Sequence, residues 1–275
     1  MSENPLSLNE TRRITEEIDI SPRKSLGQNF LIDGNIVRKS IELADLSPGE
    51  IVVEIGPGLG TLTRALLGTG ALVHAVEKDP KLSKYLRETL VQEYPETFVL
   101  IEGDAMEFPL AGYYPEPSDS FKIVANLPYT ISSPWLDAVL SGPLPAKMLL
   151  MLQKETVDRL SATHGTKQFS ALTIFLSSAY EIERGHKVAP QCFYPIPDVD
   201  SYLFHLTRRP EPFRFEEETK KIIRECFGQR RKQIGSLLRT FAPEKAETWL
   251  AELEANGYSR KSRPEEIPTE LWQKL

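Results

Sequence analysis

The sequence predicts an α/β fold: a mostly parallel sheet with helices on both faces, followed by a small all-helical region. Three observations carry this. Short apolar runs alternate with segments of helical period, several of those runs end in glycine, acid or asparagine, and beyond Arg208-Arg209-Pro210 apolar residues recur only at helical spacing. With 275 residues, 40% of them hydrophobic, the chain can bury the core of one large domain plus a small one.

Taken in order, residues 1–20 read as a polar tail with room for one short helix, and a basic segment Ser21 to Leu31 follows. Asp33 is placed to cap a helix carrying Ile36, Val37, Ile41 and Leu43. Ile51 to Ile55 is the first strand, and the glycine turn after it leads into Leu62, Ala65, Leu66 and Leu67 at helical spacing. Leu72 to Glu77 is the second strand, with Asp79-Pro80 opening the next helix. Phe98 to Ile101 runs into Gly103-Asp104, and Pro109 to Asp119 reads as an exposed loop. Lys122 to Ala125 ends in Asn126-Leu127-Pro128-Tyr129, and Met148 to Leu152 gives a fifth strand. Phe169 to Ala179 reads as a helix, and extended segments Tyr180 to Val188 and Val199 to Leu206 flank Phe193-Tyr194-Pro195-Ile196-Pro197. Ile222, Ile223, Cys226, Phe227, Ile234, Leu237, Leu238 and Phe241 then form an apolar stripe broken near Gly228. The expected domains are therefore 21–209 and 210–275.

Composition narrows the function. A net charge of −6 argues against a protein that coats nucleic acid indiscriminately and leaves room for a local basic patch. Cys192 and Cys226 lie far apart, and the four histidines form no His-x-x-x-His pair, so neither a zinc site nor a disulfide framework is expected. No stretch reaches membrane-spanning length and the first residues carry no apolar signal core, so a cytoplasmic protein is expected.

The glycine turn Glu54-Ile55-Gly56-Pro57-Gly58-Leu59-Gly60-Thr61 suits a nucleotide or nucleoside, because glycines let a ligand approach the main chain and the free N–H groups of the helix start face it. Three readings stand side by side. A dinucleotide fingerprint takes its first two glycines from Gly56 and Gly58 but finds Thr61 at the third position; an ordinary strand-to-helix turn needs no ligand. An acid two residues before Gly-x-Gly-x-Gly resembles the S-adenosylmethionine loop of class I, Rossmann-like methyltransferases. Glu77, at the end of the second strand, can accept both hydroxyls of a ribose, and Asp104 can accept from an adenine amino group.

Asn126-Leu127-Pro128-Tyr129 discriminates between these readings. An adenine amine is a poor nucleophile because its lone pair is delocalised into the ring. The Asn126 side-chain oxygen and the Leu127 or Pro128 carbonyl can hold its two N–H groups and turn the lone pair toward a sulfonium methyl. Proline aims the carbonyl, and Tyr129 offers a face on which an extruded base can stack.

Gln28-Asn29-Phe30-Leu31, Glu54 to Thr61, Asn126 to Tyr129 and Phe193 to Ser201, in that order from about Pro22 to Leu206, resemble the ribosomal RNA adenine dimethylase family. Phe227-Gly228-Gln229-Arg230-Arg231-Lys232 resembles the helical C-terminal domain of its small-subunit branch. The resemblance implies transfer of two methyl groups to N6 of each of two adjacent adenosines near the 3′ end of small-subunit rRNA, in an assembling particle, by a metal-free monomer. It further implies that Gln28, Asn29 and Leu31 enclose the cofactor with Glu54, Gly56, Gly58 and Gly60, that Glu77 binds its ribose and Asp104 with Ala105 its adenine, and that Asn126 also touches it. Tyr129 and Phe193 would sandwich the target base. By their charge, Arg23, Lys24, Arg230, Arg231 and Lys232 can grip RNA phosphates or form an ordinary solvated face. Two positions depart from the family pattern: Phe169-Ser170 stands where Tyr-Gly is common, and Asp198 where lysine is common, which removes a positive charge on the substrate side.

Overall fold

The structure, a computed structural model, describes residues 6–21, 28–116 and 118–275. Helix α1 (Leu8–Glu17) opens the chain with a capping box: the Ser7 side chain accepts from the Glu10 N–H, and the Glu10 carboxylate accepts from the Ser7 N–H at 2.8 Å. Ile14 and Ile20 bury against Phe30, Leu59 and Leu82. The short helix that the sequence left room for is present, but residues 8–20 are packed structure and not a tail: Thr11, Ile14 and Thr15 form the buried side of the helix, and Ile20 buries just beyond its end.

Strand β1 (Phe30–Leu31) pairs antiparallel with a two-residue strand far along the chain, and α2 (Gly34–Ala44) starts on Asp33, whose carboxylate accepts from Asn35 and Ile36 N–H. Then come β2 (Ile51–Ile55), α3 (Thr61–Gly68), β3 (Leu72–Glu77), α4 (Pro80–Leu86) with a π turn at Arg87–Val91, β4 (Phe98–Glu102), β5 (Phe121–Asn126), α5 (Ser132–Val139) and β6 (Lys147–Gln153). Helices α6 (Lys154–Leu160) and α7 (Ala171–Ala179) precede β7 (Tyr180–Val188), β8 (Phe193–Tyr194) and β9 (Ser201–Arg208). The large sheet runs β4-β3-β2-β5-β6-β9-β7. Its first five strands are parallel, and β9 is antiparallel to β6. Met148 to Leu152 are buried without alternation, as a strand covered on both faces requires, whereas edge strand β7 is charged and largely exposed. Parallel pairing brings the ends of β2, β3, β4 and β5 to one edge, where ligands of such sheets collect.

The chain divides into two compact units, one running to Lys154 and resuming over Glu183–Thr207, the other made of Glu155–Ile182 and Arg208–Leu275. The second contains α8 (Glu217–Gly228), α9 (Ile234–Phe241), α10 (Pro243–Ala255) and α11 (Thr269–Trp272), and no strand begins after Arg208 among the described residues. Its extent differs from the expected 210–275 because Phe169 packs its ring on Phe227, which in turn meets Trp272, so residues 155–182 share the core of the C-terminal helices. No helix of the described residues is long and apolar enough to cross a membrane.

Candidate functional site

The edge formed by β2 to β5 carries one cleft, whose walls include Gln28, Asn29, Leu31, Glu54, Gly56, Gly58, Glu77, Asp104, Ala105, Asn126 and Pro128. Gly58 has φ +60°, and a Cβ there would lie 3.1 Å from the Phe30 ring, so a side chain at this position would strain the backbone and press on Phe30. Gly60 is not part of the wall; at φ +79° it faces the π turn, where a Cβ would meet Leu90 Cδ1 at 2.6 Å. Its role is to let α3 and α4 close together behind the loop.

The three acids are held differently, and Glu77 is held by backbone. Glu77 is 6% exposed and accepts from the Gly58 N–H at 3.0 Å and the Asp79 N–H at 2.9 Å, leaving each oxygen a further lone pair. Burial pushes its pKa up to about 7 against the pull of those N–H groups. Glu54 is wholly buried, its Oε2 has no hydrogen-bond partner, and burial, reinforced by the nearby Glu77 charge, raises it to about 8. A buried carboxylate oxygen without a partner in the wall of a cleft is a site for a cation or a donor. Asp104 accepts from Lys78 Nζ at 2.7 Å and from the Met106 N–H at 2.9 Å, and the lysine bond holds its carboxyl below the usual range. Gln28 donates to Asp79 at 3.2 Å.

At the end of β5 the Asn126 amide nitrogen donates to the Asn29 carbonyl at 2.9 Å. The other end of that amide, an oxygen with two lone pairs, is therefore the free functional end. Pro128's carbonyl accepts from the Ile131 N–H at 3.1 Å and the Ser132 hydroxyl at 3.3 Å, so of the two carbonyls considered for the second contact Leu127's is the better suited. Leu127's side chain is core, 1% exposed. The Tyr129 hydroxyl lies against Ser201.

Two further expectations change. Phe193 is 1% exposed, because the Leu31–Phe193 pairing of β1 and β8 turns it into a buried cluster with Val188 and Leu203; it presents no face to a base. Arg230 is half-buried, donates to the Lys167 carbonyl at 2.8 Å and pairs with Glu265, so it braces the second unit; Arg231 and Lys232 stay exposed. Arg23 and Lys24 lie outside the described residues. Sequence reasoning missed Asp79 and Phe30 as cleft residues: Asp79 was accounted for by its capping role, and Phe30 became legible only through its contact with Gly58. No group of His, Cys, Asp and Glu among the described residues is arranged to hold a metal.

The profile of the ribosomal RNA adenine dimethylase family matches residues 20–270. Over 271 residues the chain is 57% identical to the ribosomal RNA small subunit methyltransferase A of Opitutus terrae, covering 98% of both chains. Among solved structures it resembles a dimethyladenosine transferase from Plasmodium falciparum, with TM-score 0.73, 25% identity and coverage of 89% and 95% of the two chains. The 23S rRNA methyltransferase ErmE is also similar, with TM-score 0.65, 29% identity and coverage of 89% and 96%. With the profile spanning nearly its whole length and the glycine loop, acids and Asn126 meeting in one cleft, this chain belongs to the ribosomal RNA adenine dimethylase family.

Proposed function

We propose that this chain transfers methyl groups from S-adenosylmethionine to N6 of two adjacent adenosines in the 3′-terminal hairpin of small-subunit (16S) rRNA, forming N6,N6-dimethyladenosine during ribosome assembly in the cytoplasm. The observation that carries the chemistry is the Asn126 amide, whose nitrogen is tied to Asn29 so that its oxygen is free to accept from an amine at the cleft. The 57% identity to a small-subunit enzyme over nearly the full chain favours the small subunit over the large.

The residues present fit the cofactor. The unpartnered Glu54 Oε2 suits its ammonium end, Glu77 has lone pairs for both ribose hydroxyls, and Asp104 lies beside Ala105 for the adenine. When bound, S-adenosylmethionine supplies an electrophilic methyl on a sulfonium. Asn126 Oδ1 and the Leu127 carbonyl accept the two N–H groups of the target amine and so turn its lone pair out of conjugation. Pro128 fixes the course of that backbone, and Tyr129 stacks on the base, a contact worth about 1–3 kcal/mol, which offsets much of the cost of extruding it. Acceleration comes from orientation and hydrogen bonding; no strong base is needed, because an N-methylated adenine ammonium loses its proton readily to water. Exposed Arg231 and Lys232 supply phosphate contacts, and the enzyme acts as a monomer on an assembling particle.

Purified protein incubated with labelled S-adenosylmethionine should label small subunits that lack the modification and leave large subunits unlabelled. Label in large subunits alone would keep the chemistry and overturn the substrate.

A further inference from the structure

The strand that reverses direction in the sheet delivers a side chain to the substrate half of the site. Because β9 is antiparallel to β6, it begins at the edge where the parallel strands end: Ser201 pairs with Gln153, while Asn126 pairs with Met151 two residues earlier on β6. There the Ser201 and Tyr129 hydroxyls lie 2.5 Å apart, with Ser201 fully buried. The residue before it is pinned twice. Asp200's carbonyl accepts from the Lys154 N–H at 3.0 Å, and its carboxylate pairs with Lys187 Nζ at 2.7 Å.

We propose that Ser201 is a positioning residue for methyl transfer, holding the Tyr129 ring at the place where it receives the target adenine. The inference rests on the reading of Tyr129 as the stacking residue. A tyrosine ring is placed by two torsions; fixing its hydroxyl tip removes the swing about the first, and because a phenol O–H prefers the ring plane, the hydrogen bond also biases the tilt about the second. An untethered ring would have to be ordered each time a base enters, which opposes binding. The tether moves that cost into folding, and it explains why the position carries a hydroxyl, since stacking alone needs only a ring. With Phe193 turned into the core, Tyr129 remains of the two aromatic residues expected to meet the base, and its hydroxyl is in contact with Ser201. Burial raises the Tyr129 pKa, so the phenol remains protonated and able to donate.

The test compares Ser201→Ala, Tyr129→Phe, the double variant and Tyr129→Ala in single-turnover methylation of unmodified small subunits, with S-adenosylmethionine affinity measured in parallel. Loss of one such hydrogen bond should slow Ser201→Ala and Tyr129→Phe each by about threefold to tenfold. The double variant should be no slower than the slower single, and cofactor affinity should stay unchanged. Additive losses, wild-type rates in Ser201→Ala, or a loss confined to cofactor affinity would overturn the inference. Tyr129→Ala separates the two levels: if it is inactive while Ser201→Ala is unimpaired, the positioning role alone fails, and if Tyr129→Ala keeps full activity, the stacking reading fails with it.

Discussion

The cofactor wall and the base side are built by different means. The wall is backbone-made: Glu77 is held by two N–H groups from its own neighbourhood, and Gly58 takes a positive φ close under the Phe30 ring. The base side is side-chain-made, resting on Asn126 to Asn29 and Tyr129 to Ser201, contacts that span 97 and 72 residues of chain. Preformed backbone suits a cofactor that is the same in every turnover. Long-range side-chain ties suit a base that must be received from RNA and released twice.

If the two regions are separable, damage to one should leave the other's readout alone. The largest effect is expected for Asn126→Ala: removing one preorganised acceptor should slow methylation by about a hundredfold to a thousandfold, while cofactor affinity, followed by calorimetry, changes far less. Glu77→Ala should do the reverse, weakening cofactor affinity by about a hundredfold through loss of two hydrogen bonds to a carboxylate, with the rate at saturating cofactor nearly kept. Equal losses in both readouts for both variants would break the comparison.

A third effect is set by protons. Glu77 at about 7 and Glu54 at about 8 are raised from an ordinary value of 4.5. In the ligand-free protein both are neutral at pH values where the unfolded chain is ionised, so stability should fall as pH rises from about 4.5 toward 8. The cofactor favours the ionised acids. Its affinity should therefore drop as pH falls, by about tenfold from pH 8 to pH 6 for Glu77 alone, with protons released on binding near neutrality. Calorimetry in buffers of different ionisation enthalpy reads both; affinity independent of pH would remove the assigned role of the buried acids. The smallest effects concern the basic run. Arg231→Ala and Lys232→Ala should each reduce the salt slope of RNA binding by about one without changing Tm. Arg230→Ala should instead lower stability by about 1–2 kcal/mol, since its carbonyl partners lose their donor.

The same contrast decides what was legible in the sequence. Strand ends, the glycine turn and the helix starts at Asp33 and Asp79 depend on residues within a few positions of one another, and they appear where local chemistry puts them. The direction of Phe193 depends on a two-residue ribbon with Leu31, and Ser201 matters only because β9 runs antiparallel. Arg230 looks like a phosphate ligand until the Lys167 and Phe169 carbonyls are seen beside it. Residues 155–182 join the helical unit through Phe169 and Phe227, a pairing that no local pattern announces.

The most direct measurement is to digest small-subunit rRNA after reaction with the purified protein and locate the modified nucleosides by mass spectrometry. The account predicts N6,N6-dimethyladenosine at two adjacent positions of the 3′-terminal hairpin, and none when Asn126 is alanine under the same brief exposure. Methylation at another atom or in another helix, or an undiminished yield from Asn126→Ala, would contradict it.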